Sequence, residues 1–158
     1  MTIKEYNVYS SAEILPLYES VGWTAYTDRP DVLQKGFENS LLCLAAYEDD
    51  RMIGLVRAVG DGQTVVLIQD ILVHPAQQRQ GVGTMLMDAL LKRFPHVRQI
   101  QLLTDDTPKT VSFYESLGFK SVDATGCKSF IRCRAHHQIP KNCRLRDSFF
   151  VDPFISVR

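Results

Sequence analysis

The chain has 158 residues, of which 45% are hydrophobic and 23% charged, the size and make-up of one ordinary globular domain with a single core. No apolar run approaches the ~20 residues that span a bilayer, and Met1–Glu5 carries no signal-like apolar stretch, so a cytoplasmic protein without a membrane partner is expected. The net charge of zero is unevenly spread: residues 132–158 hold six Lys and Arg against two Asp, and residues 1–131 hold twelve against sixteen.

That asymmetry suggests a domain over 1–131 and a basic tail over 132–158. Ile3 to Tyr9 alternates loosely and is expected to be a first strand. Ser11 can cap a helix running to Val21 and stopped by Gly22, with Pro16 predicting a kink or a late start. Asp28-Arg29-Pro30 opens a second helix, to about Asn39. A strand pair follows, Leu41 to Tyr47 and Met52 to Val59, joined by the polar turn Glu48-Asp49-Asp50-Arg51.

Val65 to Val73 is almost continuously apolar and reads as a central strand covered on both faces. From Val82, apolar residues at Met85, Leu86, Ala89 and Leu90 give a one-faced helix, with Asp88 and Lys92 as an outer pair and Pro95 closing it. Gln99 to Leu103 is another strand. Thr107-Pro108 begins a last helix, which ends at Leu117-Gly118.

The chemistry is concentrated between the central strand and the one-faced helix, in Val73-His74-Pro75-Ala76-Gln77-Gln78-Arg79-Gln80-Gly81-Val82-Gly83-Thr84. Glycines at the start of a helix let a bulky anion approach the backbone, while the first N–H groups point outward unpaired. The helix dipole adds partial positive charge. This arrangement predicts a pyrophosphate cradle, with Gln78, Arg79 and Gln80 as further donors. Neither a dinucleotide fingerprint G-x-G-x-x-G nor a P-loop is present.

Gln78-x-x-Gly81-x-Gly83 resembles the Q/R-x-x-G-x-G/A signature of the GCN5-related N-acetyltransferase (GNAT) superfamily. Val73-x-Pro75 and the downstream Phe113-Tyr114-Glu115-Ser116-Leu117-Gly118-Phe119 match as well, and the likeness in layout covers residues 1 to about 131. The resemblance implies an α/β fold in which a central mixed sheet, flanked by helices, has one splayed strand pair. Here that pair would be Leu67–Val73 and Gln99–Leu103. It also implies acetyl-CoA as co-substrate, without a metal: pyrophosphate at Gln78 to Thr84, including Val82, and pantetheine on backbone near Leu72 and Val73. One backbone N–H there would meet the thioester carbonyl, and a donor aimed at a developing oxyanion lowers the barrier by about 3 kcal/mol.

The implied reaction is transfer of acetyl to a primary amine in a ternary complex. An amine attacks when neutral, and the departing thiolate benefits from a proton. Tyr114 stands where the family often places its acid. Asp70 and His74 bracket the end of the central strand as candidate bases, Asp70 working through a water. The neighbouring Gln69, where some relatives carry glutamate, cannot act as one. Thr107 replaces an asparagine frequent in the family and is left with a capping role.

On the acceptor side, Gly22 to Asp28 brings Trp23 and Tyr26 next to a carboxylate, which suits a cationic amine through cation–π attraction. A compact amine is slightly favoured over a protein lysine, and a silent acyl-CoA-binding module is the alternative from another class. In the tail, Cys133, His136, His137 and Cys143 are too irregularly spaced for a zinc site. Nucleic acid is not an expected partner. Phe149-Phe150-Val151 and Phe154-Ile155 suggest packing on the domain or on a second copy.

Overall fold

The computed structural model describes residues 1–131, so the readings made for the tail lie outside the described residues. Strand β1 (Thr2–Glu5) leads to helices α1 (Ser11–Ser20), α2 (Thr24–Thr27) and α3 (Pro30–Glu38). Strands β2 (Leu42–Glu48), β3 (Arg51–Gly60) and β4 (Val65–Val73) follow, then α4 (Val82–Leu91), β5 (Gln99–Leu102) and α5 (Pro108–Ser116). The five strands form one sheet in the order β1-β2-β3-β4-β5, antiparallel up to β4 and parallel between β4 and β5.

Local chemistry sets these boundaries. Asp49 and Asp50 have φ of 46° and 61°, the left-handed geometry that lets a two-residue turn match the twist of a hairpin. Thr107 caps α5 by accepting from the Thr110 N–H at 3.3 Å. Gly118, at φ 86°, ends that helix where a residue with a Cβ would be strained. Helix α1 begins at Ser11 and runs through Pro16. Pro16 lies on the exposed face, where solvent can reach the Ala12 carbonyl that loses its N–H partner.

Two apolar layers sandwich the sheet. On one side Val66, Ile68, Ile71 and Val73 of β4 pack with Val82, Leu86, Met87 and Leu90 of α4. The buried stripe of α4 therefore passes through Met87, whereas Met85 is 42% exposed. The expected face was turned slightly, because Met87 sits beside Leu86 and Leu90 on the sheet side. On the other side Leu55 and Leu72 pack with Ile14, Leu17 and Tyr18 of α1, Leu33 and Phe37 of α3, and Trp23. No helix among the described residues is long and apolar enough to cross a membrane.

Candidate active site

Pairing between β4 and β5 extends from Val65↔Gln99 only to Ile68↔Leu102. Beyond it, residues Gln69 to Val73 of β4 have no β5 partner among the described residues, which opens a wedge in the sheet. The cause lies in the register with β3. Arg57 faces Asp70 while Ala58 faces Ile68, so Gln69 is an extra residue, a bulge that bends the strand and strengthens its twist. The bend coincides with the point where β4 parts from β5.

At the end of the wedge the chain turns into α4. Gln78 donates from Nε2 to the Val73 carbonyl at 3.1 Å, and Gln80 from Nε2 to that of Ala76 at 3.0 Å. These bonds fold the turn back on the strand end, so both glutamine amides hold the loop. Arg79 is exposed and left-handed, at φ 66°. Gly81 is the N-cap of α4 at φ 81°, and no side chain among the described residues caps the helix. A Cβ built on Gly81 would meet none of the described residues within 4 Å. The open space, the uncapped N–H groups and the helix dipole fit an anionic group seated against backbone.

The last helix closes the other side. Phe113 lies over the first turn of α4, 3.5 Å from where a Cβ on Gly83 would stand, and Val73 is 3.8 Å from the same point. Beside Phe113, Tyr114 is 6% exposed and packs edge-on between Phe113 and Phe119. Burial, and secondarily the nearby Asp105, push its hydroxyl up to about 12, partly offset by a hydrogen bond with Thr104. Tyr114 therefore keeps its proton throughout the neutral range. That is the state a proton donor needs.

On the opposite face, Asp70 is 1% exposed. Its Oδ2 accepts from Arg57 Nε at 2.5 Å and from the Tyr18 hydroxyl at 2.9 Å. Burial pushes its carboxyl up, while the Arg57 charge and both hydrogen bonds pull it down. These surroundings suit a positioning carboxylate better than one trading protons with water. His74 caps the 3-10 turn Pro75–Gln77 by accepting from the Ala76 N–H, and its other ring nitrogen lies 3.0 Å from Arg51.

Trp23 is 8% exposed and stacks on Tyr26 at 5.5 Å between centroids, with Tyr18 edge-on to both rings. Tyr26 is half-buried and bonds the Gln69 side chain at the bulge. The two aromatic residues singled out in the sequence are thus together, with Trp23 behind and Tyr26 in front. Arg57 and Tyr18 were not anticipated. A lone arginine within the apolar run of β3 and a lone aspartate within that of β4 were the available signal. Two hollows, of about 370 Å³ beside Leu117–Lys120 and about 280 Å³ under α1 beside His74, are not lined by Gly81, Gly83 or Tyr114. Among the described residues, no group of three His, Cys, Asp or Glu could hold a metal ion.

A strand that leaves its parallel neighbour and ends in a glycine turn is the layout the resemblance implied, and the bulge at Gln69 is an addition to it. The family model of the acetyltransferase (GNAT) domain matches residues 27–135. The chain belongs to the GNAT acetyltransferase family. A solved GNAT-family acetyltransferase from Streptococcus pneumoniae is 37% identical and superposes with a TM-score of 0.77, covering 85% of this chain and 98% of that one. A ycf52-like N-acetyltransferase from Prochlorococcus marinus is 33% identical over 113 residues, 68% of this chain. A protein named as a histone acetyltransferase in Glycine max is 36% identical over 130 residues, 73% of this chain. The GNAT chain spans 61% and 54% of the lengths of these last two relatives.

Proposed function

We propose that this GNAT domain transfers an acetyl group from acetyl-CoA to a primary amine by direct attack in a ternary complex. The observation that carries the reading is the end of α4 at Gly81, uncapped and unobstructed among the described residues, set where β4 has lost its β5 partner, with Tyr114 alongside. Residues 79–84 would hold the pyrophosphate through backbone N–H groups, with Arg79 adding charge. Backbone of Leu72 and Val73 would hold pantetheine along the wedge. Acetyl-CoA, when bound, supplies an activated acyl thioester.

The protein's part is orientation and proton placement. Tyr114 holds a proton for the leaving sulfur. The family's carboxylate position is the neutral Gln69, and Asp70 is occupied by Arg57 and Tyr18, so the amine's proton leaves to water at the mouth. Tyr26 and Gln69 offer the acceptor an aromatic edge with two polar groups, the makeup of a compact small-molecule site. Among the described residues Cys43 and Cys127 are free thiols, which supports a reducing compartment such as the cytoplasm.

A second reading, acetylation of a protein lysine, is favoured by the likeness to the relative named as a histone acetyltransferase. Both are tested by following CoA thiol release with acetyl-CoA and a panel of tyramine, spermidine and a lysine-containing peptide. Faster release with tyramine or spermidine supports the first reading, and with the peptide the second. Binding of acetyl-CoA without amine-dependent release from any of them would make the domain a silent acyl-CoA-binding module.

A further inference from the structure

Arg57 lies in β3, where the run from Met52 to Val59 carries no other polar side chain, and is 6% exposed. Its Nε reaches Asp70, while its Nη1 donates to the Gly36 carbonyl at 3.1 Å and to Ser40 Oγ at 3.3 Å. Its guanidinium also stands 5.3 Å from the centroid of Phe37. One side chain thereby ties β4 to the end of α3, and Tyr18 ties the same carboxylate to α1. Asp70 is the first residue after the Gln69 bulge, so the tie falls at the start of the run of β4 that pairs with β3 but not with β5. Its second oxygen, Oδ1, is buried and has no hydrogen-bond partner among the described residues. A fold that needed only stability there could use an apolar pair, since desolvating two charges offsets most of their attraction.

We infer that Arg57 is a positioning residue for the transfer reaction, holding Asp70 against β3, α1 and α3 so that the strand beyond Gln69 stays splayed and the Tyr18–Tyr26 wall stands over it. The inference rests on the acetyltransferase reading for what the splay is used for, but not for the pin itself. Removing the pin lets residues 69–73 move while the rest of the sheet stays paired.

The test uses the full chain carrying Arg57→Met with Asp70→Asn, a neutral pair that still gives the Tyr18 hydroxyl an acceptor, and Arg57→Lys as the conservative variant. Replacing a buried ion pair with neutral groups is often tolerated, so the double variant is expected to melt cooperatively. Hydrogen exchange without ligand should then be about tenfold faster at residues 69–73 and unchanged in β1 and β2, since local openings are separate from global ones. Acetyl-CoA affinity and kcat with the best amine should each fall about tenfold, and Arg57→Lys should recover part of both.

Wild-type exchange and acetyl-CoA affinity in the folded double variant would overturn the inference. So would a double variant that fails to fold while Arg57→Lys matches wild type in every reading, since the pair would then serve stability alone. Should wild type itself not bind acetyl-CoA, the acetyltransferase reading fails, and with it the role in transfer, whatever the exchange shows about the pin.

Discussion

Phe113 faces Gly83 across the first turn of α4: a Cβ on Gly83 would lie 3.5 Å from the ring edge. That is ordinary van der Waals distance, so alanine fits. Gly83 is helical and α4 would gain about 0.5–1 kcal/mol from alanine's better propensity. Gly83→Ala should raise the melting temperature by a few degrees, about 2–4 °C for a chain of this size. Acetyl-CoA affinity should stay within about threefold of wild type. Thermal melts and calorimetry check both halves. A collapse in stability would mean that Phe113 sits closer to α4 than described.

Tyr114→Phe keeps the packing between Phe113 and Phe119 and removes only the hydroxyl. Turnover should fall about 10²-fold, with acetyl-CoA affinity nearly unchanged, since general acid catalysis is typically worth that much. Because burial holds the Tyr114 hydroxyl up to about 12, its raised value also has a sign in stability. The contribution is complete below pH 10, where the unfolded tyrosine is still protonated, and is lost as pH rises from 10 to 12. The phenylalanine variant should therefore lose less stability than wild type across that window, as alkaline melts would reveal.

Trp23 and Tyr26 should separate by phenotype although they stack. Trp23→Ala opens a hole behind Tyr18 and should cost about 3–5 kcal/mol of stability. Tyr26→Phe leaves the stack in place but removes the hydroxyl bonded to Gln69. It should raise the acceptor KM severalfold, with acetyl-CoA affinity and melting temperature nearly constant. Equal KM for wild type and Tyr26→Phe would move the acceptor away from this wall.

What the sequence revealed followed the strength of each physical signal. Strand β4 was legible because a strand covered on both faces must be apolar throughout, and α4 because Gly81 and the apolar spacing after it agree on where a helix begins. Helix α2 was missed, since four residues from Thr24 to Thr27 are too few to show a period. The Gln69 bulge left no local trace: apolar residues on both sides of it suit either register. The glycine turn at Gly81 was readable because glycine is the residue that most readily takes the φ of 81° found at the start of α4. Arg57 was not, because its meaning depends on the residue across the strand.

The most direct measurement of the account is a calorimetric titration of acetyl-CoA into wild type and Gly81→Glu. The side chain meets none of the described residues at Gly81, so the domain should stay folded apart from about 1 kcal/mol of backbone strain at positive φ. The added carboxylate would occupy the position argued for the pyrophosphate and repel it. Wild type should bind acetyl-CoA, and Gly81→Glu should lose nearly all of that binding while its circular dichroism is unchanged. Equal affinity in the two proteins would contradict the placement of the cofactor at the end of α4, and with it the reading of the whole site.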